Sequence, residues 1–502
     1  MIVLFHSNNI VIDCQNCVSD VIGRPIVGVI QDIAAKNVKT RIAWVENSLR
    51  LAVNYELLAS CRDSELYYFN PKKSEFIPEE LGWIDFKSAF LKINKGVRYA
   101  SWQVSSCVGS VWSEVINSFQ WNDESTNFSY FCSILGFQSL KAGLHTWSLP
   151  ELVNAEVNTK VSSEISKVEF FKFVRNNYTK KQYWLLLISY MLFQRKILLL
   201  PFIKNYFFVK KSIHLNEHLG QQCKPNVINC SVDVIIPTLG RESYIIDTLM
   251  DLNTQTLLPK QVIIVEQIAP GNEDFAYKFL ETTNWKFEIV HLVIKELGAC
   301  NARNLAMQYI KSDWTFLADD DIRLLPETLA GVISYLNENE IFSASLSSYK
   351  KGETIDEMKR PFFWSEFSSG CSLVKSSFLE GLQFRKCFEF GFGEDTDFGF
   401  QLRQRGCSVI YYNKFPVYHL KAPIGGFRTK FMRSWSRDLI KPVPEPTIHL
   451  CALMNYNTYQ IKGFQLFYTL KDFNRLMIFG LSIIQVKRSL KYAKILSQEF
   501  SK

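Results

Sequence analysis

The chain has 502 residues, 47% of them hydrophobic, and a formal net charge of +8. That length and apolar content fit a large enzyme of two or three domains. Its twelve cysteines follow no framework, and Cys14-x-x-Cys17 has no second half. This excludes a zinc ribbon or disulfide scaffold and predicts free thiols in a reducing cytosol.

Met1 to His6 lacks the basic region and cleavage site of a signal peptide. Residues 1–175 read as an N-terminal accessory domain. The most apolar window follows, Trp184 to Leu200. Gln194-Arg195-Lys196 interrupts it and Pro201 ends it, so neither half is long enough to span a bilayer. It reads as a buried or interfacial helix joining two domains. Together with the polar, Gly- and Pro-bearing stretch from Asn216 to Ser231 it makes a connector over 176–230.

Strand and helix patterns then alternate over 231–425. Val232 to Thr238 is a short strand running into Leu239-Gly240-Arg241, and a helix pattern follows with Ile245, Ile246, Leu249, Met250 and Leu252. Gln261 to Glu266 is a second buried strand, ending on a carboxylate. Ile289 to Ile294 is a third, with Leu297 to Asn304 opening a helix. Trp314 to Leu317 is a fourth, and it runs into Asp319-Asp320-Asp321. Such alternation predicts an α/β chain with a mostly parallel sheet. Ligands bind beyond the carboxyl ends of such strands, where Pro237, Glu266, Arg303 and the triplet fall, so a nucleotide site is expected there. Adjacent carboxylates raise each other's pKa, and a hard divalent cation, Mg²⁺ or Mn²⁺, relieves that. The alternative is a solvated acidic turn ahead of the helix near Pro326.

With these pieces in order, Val232 to Leu420 resembles a family 2 glycosyltransferase with the GT-A fold. The further matching segments are Ser369 to Val374, Gly393 to Phe398, Arg405-Gly406 and His419. The resemblance implies a sheet with helices on both faces and an inverting, metal-dependent sugar transfer. It implies metal binding by Asp319, Asp320, Asp321 and His419, in one of two registers: Asp320 as ligand, or Asp321 as ligand with Asp319 facing the ribose. It implies donor contacts from Pro237, Thr238, Arg241, Glu266, Arg303, Asp319 and Asp320. Many relatives carry Asp where this chain has Glu266. The acceptor hydroxyl must lose a proton, and the resemblance gives that role to Asp395, assisted by Glu394. Gly370 and Asp397 are expected on the acceptor side. Glu394, Asp395 and Asp397 also suit a helix N-terminus electrostatically.

The first half echoes the second. Gly23-Arg24 and Ile42 to Glu46 parallel Gly240-Arg241 and Ile263 to Glu266; Ser105 to Ser110 parallels Ser368 to Ser372. Asn127 to Phe131 stands as Thr396 to Phe400 does, and Ala142-Gly143 as Arg405-Gly406 does. The carboxylates are missing, since Ser125-Thr126 replaces Glu394-Asp395. The region reads as a degenerate GT-A-like domain that cannot hold a metal, or else as an unrelated accessory α/β domain.

From Lys421 onward basic residues exceed acidic ones by about ten. Residues 426–502 read as a basic helical region, either lying on an anionic membrane or packed on the domain with a solvated basic face. Pro423 to Arg428 has the glycines of a lid. No nucleic-acid module accompanies the charge. The expected protein is a cytoplasmic glycosyltransferase, peripheral on the inner face of the membrane through its tail. It would use a UDP-sugar and a saccharide or lipid-linked acceptor to build a cell-surface polysaccharide. Without spans or a Gln-x-x-Arg-Trp motif, it would add one or a few sugars. The alternative is an inert nucleotide-sugar or glycan-binding protein.

Overall fold

Runs of valine, isoleucine and aromatic residues form the strands of two separate sheets in a computed structural model of the chain. The structure describes residues 1–17, 19–71, 77–119, 121, 126–154, 165–207, 230–269, 277–350, 352–354, 360–422, 432–471 and 479–500. The chain divides into two units, Met1–Gln222 with Tyr456–Phe464, and Cys223–Asn455 with Gln465–Lys502.

The first unit holds a seven-stranded sheet. Its strands are β1 (Ile2–Ser7), β2 (Ile10–Gln15), β3 (Arg41–Glu46), β4 (Glu65–Phe69), β5 (Tyr99–Ala100), β6 (Val108–Trp112) and β7 (His145–Ser148), in the order β2-β1-β3-β6-β4-β7-β5. β1 and β3 are parallel, β6 runs antiparallel between β3 and β4, and β4 and β7 are parallel. The helix Phe128–Lys141 leads into β7, and its orphan amides at Ser129 and Tyr130 are capped by the Asn127 side chain.

The second unit holds a nine-stranded sheet. Its strands are β8 (Val232–Thr238), β9 (Gln261–Gln267), β10 (Glu288–Ile294), β11 (Trp314–Ala318), β12 (Ile322–Arg323), β13 (Ser343–Tyr349), β14 (Phe362–Phe363), β15 (Cys371–Lys375) and β16 (Val409–His419). β10, β9, β8 and β11 lie side by side and parallel, as the alternating pattern predicts. β15 runs antiparallel between β11 and β13, and β13 pairs with β16 in parallel. Val262 to Val265 are wholly buried, which explains their continuous apolar run. The expected helices appear at Glu242–Asn253, Ala299–Met307 and Thr328–Glu338. Near the C-terminus, Pro446–Asn455 and Phe479–Glu499 pack through Leu450, Cys451, Ala493 and Leu496.

The two sheets share a connectivity. β1-β3-β6-β4-β7 repeats β8-β11-β15-β13-β16 in chain order, neighbours and direction. A helix precedes the last strand in both, Phe128–Lys141 in one and Glu394–Gln404 in the other. One expected correspondence shifts. The sequence parallels matched Ile42 to Glu46 with Ile263 to Glu266 on β9, but β3 occupies the position of β11, between a parallel and an antiparallel neighbour. The β2 hairpin strand takes the side of β1 that β9 takes beside β8.

The apolar window is two short helices and not one. Lys180–Ser189 passes through a wide turn at Tyr190–Gln194 to Arg195, whose φ of 55° is left-handed, and Leu199–Tyr206 follows. Among the described residues no helix is long and apolar enough to cross a membrane.

Candidate active site

β11 delivers the triplet, and a strand pair brings its distant partner. Ile322 on β12 lies opposite His419 on β16, so the histidine arrives beside the carboxylates from nearly a hundred residues further on. His419 Nε2 is 3.0 Å from Asp321 Oδ1, an oxygen that is buried with no hydrogen-bond partner. Asp321 Oδ2 accepts from the Ala422 amide at 2.8 Å. Ligand atoms of Asp319, Asp321 and His419 lie within 4.8 Å of one another. A buried carboxylate oxygen set against an imidazole nitrogen, with a second carboxylate beside them, fits a hard divalent cation such as Mn²⁺ or Mg²⁺.

Asp320 turns away from that group. Its Oδ2 accepts from Thr238 Oγ1 at 2.7 Å and its Oδ1 from Arg241 at 2.6 Å, so both oxygens are occupied. The structure therefore does not bring Asp320 to the expected metal position. Asp319 lies between: its Oδ1 accepts from Arg303 at 2.9 Å, and its amide donates to the Gly370 carbonyl at 2.9 Å. Electrostatics sets Asp320 apart from Asp321. Burial pushes Asp320 up to about 6, with Arg241 and Thr238 pulling the other way. Burial also opposes ionisation of Asp321, but the His419 ring and the Ala422 amide hold it below the usual carboxylate range. Asp321 in turn raises His419.

The helix Glu394–Gln404 starts at Gly393, whose φ of +102° suits glycine, and puts Glu394 and Asp395 in its first turn. Asp395 Oδ1 is buried without a hydrogen-bond partner. Burial raises the Asp395 carboxyl, and Arg303 and Ser369 counter it. Glu394 is pushed up to about 7 by burial and by the Asp395 charge beside it. Arg303, buried to 6% exposure, lies within electrostatic reach of Asp319, Asp395 and Glu394 together.

These groups surround one cavity of about 380 Å³. Pro237, Thr238, Arg241, Arg303, Asp319, Asp320, Asp321, Gly370, Glu394, Asp395 and His419 all line it, as expected from the sequence. Two predicted residues do not. Glu266 is held on the far side of its strand by His291 Nε2 at 2.7 Å and the Tyr277 amide at 3.1 Å. Its neighbour Gln267 lines the cavity instead and accepts from the Gly298 amide at 2.6 Å. Asp397 is buried under Arg385, Gln401 and Asn455, so it anchors its helix and does not face an acceptor. Pro423 to Arg428, the expected lid, lies outside the described residues.

Sequence reasoning missed Glu389. Its carboxylate accepts from the Cys300 and Asn301 amides at 3.1 and 2.9 Å, closing the start of the helix Ala299–Met307. Gly298, at φ +140°, makes room for it, since a Cβ there would lie 2.3 Å from the Glu389 carboxyl carbon. The glycine was a signal that something approaches closely; nothing in the sequence said what.

Residues 233–392 match the family Glycosyl transferase family 2, about a third of the chain. The second unit thus carries a glycosyltransferase domain of that family. No curated protein matches the chain. Among solved structures, S. aureus TarS is 15% identical over 50% of this chain, with a TM-score of 0.35. This chain spans 44% of that TarS chain. TarS 1-349 in complex with UDP-GlcNAc is 14% identical, covering 52% of this chain and 81% of that one at a TM-score of 0.38. The mannosyltransferase PcManGT of Pyrobaculum calidifontis, in complex with GDP-Man and Mn²⁺, is 13% identical, covering 54% and 80% at 0.34.

Proposed function

We propose that the second unit transfers a sugar from a nucleotide-sugar donor, a UDP-sugar, with inversion, to a saccharide or lipid-linked acceptor. The product is a cell-surface polysaccharide or its precursor, extended by one or a few sugars. The observation that carries this reading is the unpartnered, buried Oδ1 of Asp395 on the same cavity as Asp319, Asp321 and His419. A proton acceptor and a cation site on one cavity are what an in-line sugar transfer needs.

In this mechanism Asp395 takes the proton of the acceptor hydroxyl as its oxygen bonds to the anomeric carbon. The bond from that carbon to the diphosphate oxygen breaks, and its electron pair leaves with the diphosphate. Attack opposite the leaving group inverts the centre. When bound, a divalent cation held by Asp319, Asp321 and His419 supplies Lewis-acid stabilisation of the departing charge. Arg303 holds Asp319 in place through a hydrogen bond, and favours the charged form of Asp395. Arg241, Thr238 and Pro237 serve the nucleotide end, with Asp320 orienting Arg241 and Thr238.

The first unit, on this reading, is a silent relative of the second that positions and does not catalyse. It has the strand connectivity without, among the described residues, a matching carboxylate set. Release of UDP from a panel of UDP-sugars by the full chain in Mn²⁺ tests the function. Binding of nucleotide sugars with no release and no transfer would leave an inert binding protein.

A further inference from the structure

The largest run of exposed apolar side chains among the described residues belongs to the first unit. Between Lys180 and Phe207 stand Trp184 at 46% exposure, Leu192 at 58%, Leu200 at 66%, Ile203 at 58% and Phe207 at 83%, with Met191 and Ile197 also outside. Single exposed hydrophobics need no account, but a run of this density within one helical hairpin does.

The patch is the outer face of a well-made element. On the inner face Tyr183, Leu186, Leu187, Tyr190 and Phe202 are buried. The Tyr183 hydroxyl donates to the Phe202 carbonyl at 2.7 Å, and their rings stack 4.7 Å apart. Arg175 Nε donates to the Tyr206 carbonyl at 3.0 Å, and Asn205 to the Val168 carbonyl at 3.0 Å. The two helices are thereby fixed on Lys167–Asn177, and their outer sides are left apolar.

Charge indicates what covers that face. From Lys180 to Phe207 there are five basic residues, Lys180, Lys181, Arg195, Lys196 and Lys204, and no acidic one. All five are exposed. Helices of ten and eight residues cannot span a bilayer, which leaves the interface plane. A protein partner would need an apolar surface ringed by carboxylates, whereas an anionic bilayer offers acyl chains beneath phosphates as its ordinary composition. Trp184 is the residue type that settles at such boundaries. We propose that the hairpin Lys180–Phe207 docks the protein on an anionic membrane surface, its apolar side chains entering the headgroup boundary and its basic groups meeting lipid phosphates.

This moves the membrane contact away from the basic tail. In Phe479–Glu499 the apolar positions Val486, Ala493 and Leu496 are buried, and Arg488 is paired with Asp438 at 3.2 Å. What stays exposed there is sparser than in the hairpin, Leu481 at 38%, Ile484 at 43% and Ile495 at 38%.

Co-sedimentation of the full chain with vesicles tests the proposal, using phosphatidylcholine alone and phosphatidylcholine with about a third phosphatidylglycerol. The wild-type chain should pellet with the anionic vesicles and release in high salt. Leu200→Glu with Ile203→Glu should weaken partitioning by on the order of tenfold or more, since two exposed apolar groups become anions. Its circular dichroism should not change. Arg195→Gln with Lys196→Gln should lower binding to anionic vesicles selectively. Leu481→Glu with Ile484→Glu in the tail should bind as wild type. The proposal is overturned if the wild-type chain stays in the supernatant with both vesicles, or if the tail variant loses binding and the hairpin variant keeps it. It is equally overturned if the lipid-free protein is a dimer that the Leu200 and Ile203 substitutions dissociate, which would make the occupant a second copy.

Discussion

Asp321 and His419 face each other across 3.0 Å because Ile322 and His419 are partners in the β12–β16 ladder. The pairing joins the end of the acidic triplet to the end of the last strand of the sheet. It also leaves Asp321 Oδ1 buried with the imidazole as its neighbour. The geometry separates the three aspartates by the groups they contact, which the sequence left open.

Asp321→Ala and His419→Ala should therefore remove Mn²⁺ affinity, read by isothermal titration or by manganese electron paramagnetic resonance, and EDTA should abolish transfer. Asp320→Asn should keep the ion while weakening UDP binding, because Asp320 holds Arg241 and Thr238. Full activity in chelator would sink the metal assignment. Loss of the ion in Asp320→Asn with retention in Asp321→Ala would invert the roles.

The proton acceptor can be separated from the donor site. Asp395→Asn keeps shape but cannot take a proton, so turnover should fall by about 10²–10⁴-fold while UDP binding stays near wild type. Near-normal turnover would move the base to Glu394, the other carboxylate at that helix start.

The acid limb of the pH profile should reflect the same pair. A base works only when ionised, and burial raises the Asp395 carboxyl above the ordinary aspartate range. Raised carboxyls ionise later, so kcat/KM should fall away on the acid side at a higher pH than an ordinary aspartate base would give. Glu394→Gln removes a like charge and should move the limb to lower pH. Arg303→Met removes the charge that favours Asp395 ionisation and should move it higher. A profile that does not respond to either variant would detach Asp395 from the rate.

Much of this site was legible before the fold. Strand runs that end on Pro237, on the triplet and on the residues before Arg303 set the cavity wall, since period and polarity mark a buried strand and its tip. What could not be read was the direction of a side chain at a tip. Glu266 and Gln267 are adjacent, and the alternation of a strand sends only one of them to the cavity. Asp397 sits two residues from Asp395 on a helix, far enough round the axis to meet Arg385 instead. Glu389 was hidden because its partners are backbone amides, which carry no sequence signature.

Gly370 is a sharper test of packing at the cavity. A Cβ on it would lie 2.3 Å from Asp319 Oδ2, closer than any carbon and oxygen settle. Its φ is not in the left-handed range, so Gly370→Ala acts through contact and not through backbone strain. The substitution should displace the Asp319 carboxylate and lower metal affinity about 10–100-fold, the scale seen when a ligand's support is disturbed. Unchanged Mn²⁺ affinity in a folded Gly370→Ala protein would show that Asp319 is not held as described.

The first unit gives the last prediction. By sheet neighbours β3 stands where β11 stands, so the end of β3 is where a triplet would be. Glu46 is there, followed by Asn47 and Ser48, and the helix Phe128–Lys141 opens on Asn127 as an amide cap with no carboxylate in its first turn. Among the described residues no His, Cys, Asp or Glu group of the first unit converges as Asp319, Asp321 and His419 do. Catalysis belongs to a site and not to a fold, and the reading proposed above gives the first unit a positioning role. Glu46→Gln should leave UDP-sugar hydrolysis within about twofold of wild type, since chemistry that depends on a carboxylate loses on the order of 10²-fold or more with it. A hundredfold loss with an unchanged melting temperature would make the first unit a second catalytic centre and reverse its assignment as a silent relative.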